Sequence, residues 1–117
     1  MFIYLIWAIN KSMIEKVKEY KTVNKKGRFR RGIIEPFLIT ALPKNVATIL
    51  DVGCGTGEYH QLIFKERETI TKLIGIDLSK EILESAVKTD KSQYLCMDSL
   101  NIQLEEKFDC ILAIFLI

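Results

Sequence analysis

The sequence predicts an α/β protein, a parallel sheet covered by helices on both faces. Three observations predict it. Segments with helical spacing alternate along the chain with short apolar runs. Two of those runs, Leu73-Ile74-Gly75-Ile76 and Ile111-Leu112-Ala113-Ile114, are apolar at every position, as strands buried on both faces are. Between the helical segments, Thr48-Ile49-Leu50 runs into Asp51 and then into alternate glycines at Gly53, Gly55 and Gly57, before the helically spaced Tyr59, Leu62 and Ile63. Strand, glycine turn and helix in that order build a nucleotide pocket at the carboxyl end of a parallel strand.

Composition sets the limits. A chain of 117 residues, 49% apolar and 27% charged, makes one globular domain with a modest core. A net charge of +2 argues for neither nucleic acid nor a membrane surface. Cys54, Cys96 and Cys110 are scattered without metal-ligand spacing, so no metal is expected and a reducing, cytoplasmic setting is. Cys96 and Cys110 sit in apolar runs and are expected to be small buried side chains.

The elements follow in order. Phe2 to Ile9 is apolar but far shorter than the roughly 20 residues a membrane span needs. It reads as one face of a helix, or as a strand or tail that docks on something. Ile9, Met13, Ile14, Val17 and Tyr20 recur at helical spacing, and the basic run from Lys25 to Arg31 is read as a solvated loop. These residues form a separate N-terminal segment, 1–32, ahead of a domain at 33–117. Ile33, Ile34, Phe37, Leu38, Ala41 and Leu42 make a second helical face that Pro43 stops.

Beyond the glycine turn, a helix from Glu58 to about Arg67 carries the single histidine, His60, read as a surface residue. A second strand ends at Asp77, and Ser79 is placed to cap the helix after it. That helix is expected to bury Ile82, Leu83, Ala86 and Val87. A third strand covers Gln93 to Met97 and a fourth Phe108 to Ile114.

The turn reads G-x-G-x-G, not the dinucleotide pattern G-x-G-x-x-G, and Asp51 and Glu58 flank it. Two carboxylates repel a pyrophosphate and attract a ligand that carries a sulfonium and an ammonium. Asp51 to Gly57, D-V-G-C-G-T-G, resembles the first motif of class I S-adenosylmethionine (SAM)-dependent methyltransferases. The resemblance extends from about Ile33 to Ile117 through four of that family's motifs in order. It implies a Rossmann-like sheet, SAM as cofactor and a small-molecule methyl acceptor.

It also implies residue roles. Gly53, Cys54, Gly55, Thr56 and Gly57 shape the loop around the methionine part, and Asp51 orients the ammonium directly or through water. Asp77 holds the ribose. Adenine lies between Leu78 and either Met97 or Leu100, with Asp98 at its exocyclic amine, Ser99 following it at the cofactor, and Ala113 in the fourth motif. No catalytic residue is implied, because methyl transfer depends mainly on holding the acceptor in line with the methyl group.

The chain departs from the family in strand number. Class I methyltransferases resemble a seven-stranded sheet, and the sequence accounts for the first four, so the sheet is expected to be truncated after the fourth strand. That strand is expected at an open edge, available to a second copy or a partner. A SAM-binding fragment that acts only with such a partner is the alternative to an enzyme. A nicotinamide-dependent dehydrogenase fits less well, since its third glycine would be misplaced and the loop is acidic.

Overall fold

The computed structural model describes residues 4–7 and 35–114. The helix expected over 9–20 and the basic run at 25–31 lie outside these residues, as do Ile33, Ile34 and 115–117. In chain order the elements are β1 (Tyr4–Trp7), α1 (Glu35–Ala41), β2 (Thr48–Val52), α2 (His60–Glu66), β3 (Lys72–Asp77), α3 (Lys80–Glu84), β4 (Ser92–Cys96) and β5 (Cys110–Ala113). The strands form one sheet in the order β1-β5-β2-β3-β4, and all four pairings are parallel.

The two faces of the sheet follow from the period of two along each strand. Ile49, Leu73 and Leu112 point to one face, where they meet Leu38 of α1, Ile63 of α2 and the connecting residues Leu42, Val46 and Ile70. Leu50, Ile74, Ile76 and Val52 point to the other and pack with Phe108, Leu104 and Ile111. Leu38, Ile49, Leu73, Ile74, Ile76 and Leu112 have no exposed surface. Each such side chain contributes roughly 1.5–3 kcal/mol through burial.

Three expectations are corrected. The fourth predicted strand, β5, is not at an open edge. β1 pairs with it from Tyr4↔Cys110 to Trp7↔Ala113, so the apolar N-terminus is a strand and the sheet has five. Ile82 and Val87 are exposed: α3 ends at Glu84 and turns only Leu83 inward, and beyond it Ala86 is the residue that is buried. Cys96 is exposed on the edge strand β4, whereas Cys110 is buried as expected.

The chain runs from β2 outward through β3 to β4, and then crosses back to lay β5 on the other side of β2. The carboxyl ends of β2 and β5 therefore lie side by side where the strand order reverses. In open parallel sheets this switch point is where ligands bind.

Candidate cofactor site

The loop after β2 is held by its own backbone. The amides of Gly53 and Cys54 both donate to Ile76 O, at 2.9 and 3.0 Å, and Gly57 N donates to Cys54 O at 3.0 Å. The Gly55 amide donates to Asp77 Oδ2 at 3.0 Å. Gly53, Gly55 and Gly57 all have positive φ, at 70°, 58° and 70°, which explains why this turn is built from glycine.

A Cβ placed on Gly57 would lie 2.7 Å from both His60 Nδ1 and Tyr94 OH, whereas one on Gly55 would meet nothing within 4 Å. Gly57 makes room for side chains beneath the loop, and Gly55 lies against open space. A further glycine supports the loop from below. On Gly75 of β3 a Cβ would come within 2.7 Å of Cys54 Sγ, so Cys54 packs where that side chain is missing.

The loop walls a cleft of about 310 Å³ with Asp51, Gly53, Cys54, Gly55, Thr56, Glu58, Tyr59, Ile82 and Ile114. Of the residues expected at the site, Asp51, Gly53, Cys54, Gly55 and Thr56 line this cleft. Gly57 is buried under the loop. Asp77 sits at the end of β3 and reaches the loop through Gly55, and its Oδ1 accepts the Ser79 amide at 3.0 Å. Each carboxylate oxygen keeps a lone pair for a further donor.

The other expected residues flank the cleft. Ala113 ends β5 beside Ile114 and pairs with Val52. Leu78, 68% exposed, and Leu100, 93% exposed, stand out from the surface, whereas Met97 packs into the core beneath the sheet. Asp98 Oδ1 accepts the Leu100 amide at 2.9 Å, which turns the chain around exposed Ser99.

His60 is not a surface residue. It is 2% exposed, at the first turn of α2, with Nε2 2.5 Å from Asp51 Oδ2 and Nδ1 2.9 Å from Tyr94 OH. The His60 and Tyr94 rings stack with centroids 5.7 Å apart. The sequence carried a signal for this. Ile63 lies three positions on, so His60 shares the inward face of its helix.

Burial pushes the Asp51 carboxyl above its ordinary range, and the contact with His60 partly offsets that rise. Burial, reinforced by Asp51 and Asp77, pushes the Cys54 thiol up to about 12, so it remains a neutral wall of the cleft. Among the described residues no cluster of His, Cys, Asp and Glu is placed to hold a metal ion.

Residues 49–117 match the family of methyltransferase domains, and the match spans more than half of the chain. The chain belongs to that family.

Solved structures extend the likeness. An S-adenosylmethionine dependent methyltransferase from Mesorhizobium loti is 25% identical with a TM-score of 0.57, over 67% of this chain and 37% of that one. The plantazolicin methyltransferase BpumL, in complex with SAH, is 28% identical with a TM-score of 0.59, over 88% of this chain and 40% of that one. DesVI from Streptomyces venezuelae, at 19% identity and a TM-score of 0.54 over 93% of this chain and 44% of that one, shares the fold. The methyltransferase domain described here thus spans about two fifths of the length of the solved structures it resembles. No curated protein matches the chain.

Proposed function

We propose that the cleft binds S-adenosylmethionine and that this chain is the cofactor-binding portion of a methyltransferase whose acceptor is a small molecule. The observation that carries the reading is the hydrogen bonding of the glycine loop. The amides of Gly53, Cys54, Gly55 and Gly57 are all occupied within the protein, so they do not form the anion cradle a pyrophosphate requires. The side chains around them, Asp51, Glu58 and Asp77, are instead carboxylic acids, which favour a ligand with cationic groups.

In this reading Asp51 receives the ammonium end of the ligand and the open space at Gly55 admits its methionine part. Asp77 holds the ribose with the lone pairs that Gly55 and Ser79 leave. Leu78, Met97 or Leu100, Asp98 and Ser99 contact adenine, and Ala113 closes the β5 side. When bound, the cofactor supplies an electrophilic methyl group. The residues described here bind and orient. None is assigned a catalytic role. A small acceptor agrees with BpumL, which was solved with a monoazolic desmethylPZN analog and SAH. We also place the protein in the cytoplasm, given its free cysteines and the lack, among the described residues, of a helix long and apolar enough to cross a membrane.

Calorimetric titration of the 117-residue chain with SAM, SAH and NAD tests this reading. Saturable binding of both adenosyl ligands, with none of NAD, is expected. A folded chain that bound NAD in competition with SAH, or bound neither, would overturn it.

A further inference from the structure

The network beneath the cleft determines where its hydrogens are. Tyr94 OH has one hydrogen and meets two fixed partners, Val87 O at 3.0 Å and His60 Nδ1 at 2.9 Å, beside the Ser92 hydroxyl, which can donate to it. A carbonyl only accepts, so the hydroxyl donates to Val87 O. Its oxygen then accepts from His60, which places a hydrogen on Nδ1. Across the ring, Nε2 and Asp51 Oδ2 at 2.5 Å need a second hydrogen between them, carried either by the imidazole or by the carboxyl.

We propose that Asp51 and His60 hold one shared proton in a pair of zero net charge, which makes His60 the positioning residue that sets the charge Asp51 presents to the cleft. His60 engages Oδ2 and leaves Oδ1 as the acceptor that can face a ligand. Loss of the proton has a defined consequence. One ring hydrogen cannot serve both Asp51 and Tyr94, so the Tyr94 hydroxyl turns from Val87 O to Nδ1 and Asp51 is left fully charged. The cleft gains a negative charge, and a ligand with an ammonium group binds more tightly.

Other groups around the pair leave this direction unchanged. The carboxyl groups of Asp77 and Glu58 lie nearby, while the Cys54 thiol and the Tyr94 phenol are both raised by burial and stay neutral. The proton count is independent of the ligand, whereas its effect on the cleft rests on the cofactor reading above.

The chain contains one histidine, so a nitrogen NMR spectrum of its imidazole is unambiguous. In the ligand-free chain Nδ1 is expected to carry hydrogen, and Tyr94→Phe, which removes its acceptor, is expected to shift hydrogen away from it. A neutral ring with bare Nδ1 and Nε2–H in the wild type would overturn the shared proton.

The second arm titrates SAH against the wild type and His60→Gln from about pH 5 to 8. Wild-type affinity is expected to rise about tenfold with pH, a typical coupling between sites. Gln keeps a donor for Asp51 without a proton to lose, so its curve is expected to be flat. Tyr94→Phe replaces it if His60→Gln does not fold, with the rise expected at lower pH. Identical curves in wild type and variant would overturn the charge-setting role. Failure of every form to bind SAH would sink the cofactor reading and that role with it, and the spectrum would still decide the proton.

Discussion

The Asp77 carboxylate joins two turns that are 22 positions and 2 positions away in sequence, accepting the Gly55 amide on Oδ2 and the Ser79 amide on Oδ1. One side chain at the end of β3 thus fixes both the glycine loop and the start of α3. Asp77→Ala leaves two amides without their acceptor, at a cost of about 1–3 kcal/mol. If Asp77 also holds the ribose, SAH affinity falls at least about tenfold, a loss of about 1.4 kcal/mol in binding. Asp77→Asn retains one acceptor oxygen and is expected to recover part of the stability but little of the affinity. Chemical denaturation together with SAH titration measures both, and wild-type affinity in Asp77→Ala would sink the ribose role.

The glycines of the loop separate local strain from packing. Gly55→Ala has only the cost of a side chain at positive φ, about 1–2 kcal/mol, because its Cβ meets nothing within 4 Å. That Cβ enters the space assigned to the ligand, so SAH binding is expected to suffer more than stability does. Gly57→Ala has the same strain and drives its Cβ against His60 and Tyr94, adding typically 1–3 kcal/mol of overpacking. The expected order in melting temperature is wild type, then Gly55→Ala, then Gly57→Ala. A reversed order would mean that the loop has more room over His60 than its geometry shows.

Much of this architecture was legible because local patterns carry it. The apolar runs, the positive-φ glycines and the acid ending β3 are read directly from residue type and spacing, and they place the loop over the switch point. The Ser79 cap was equally local, its hydroxyl accepting the Ile82 amide three residues on. What escaped depends on distant contacts. A histidine next to a loop looks solvent-facing until Asp51 and Tyr94, 9 and 34 positions away, converge on its two nitrogens. Likewise, the apolar N-terminus could be read as a strand but not distinguished from a helix face or a docking tail, because the partner of β1, β5, lies at the other end of the chain. Gly75 looked like any small residue in a buried strand, since its contact with Cys54 is across the sheet end.

β1 makes its own prediction. It covers the edge of β5 through four register pairs, from Tyr4↔Cys110 to Trp7↔Ala113. A chain lacking residues 1–7 would present the unpaired amides and carbonyls of an apolar strand to solvent, a template for pairing between chains. Size-exclusion chromatography with light scattering is expected to show larger species for the shortened chain than for the full one. Equal elution as monomers would show that β5 needs no cover from β1.

Asp109 predicts a response to acid. Its Oδ2 accepts the amides of Ala47 and Thr48, at 2.9 and 3.1 Å, and its own amide donates to Thr48 O at 3.1 Å, tying the entrance of β5 to that of β2. Those backbone donors hold the carboxyl below its ordinary value of 3.8. A carboxylate with a lowered folded-state value stabilises the fold above its unfolded value, and that contribution disappears as pH falls through the folded one. Asp109→Asn keeps an oxygen for the amides but loses the charge, at an expected cost of about 1 kcal/mol near neutral pH. Denaturation midpoints of the two proteins are therefore expected to differ at pH 7 and to converge below the ordinary carboxylate range. A gap that stayed constant down to the lowest pH at which the protein folds would show that the ionised carboxylate is not what secures this strand entrance.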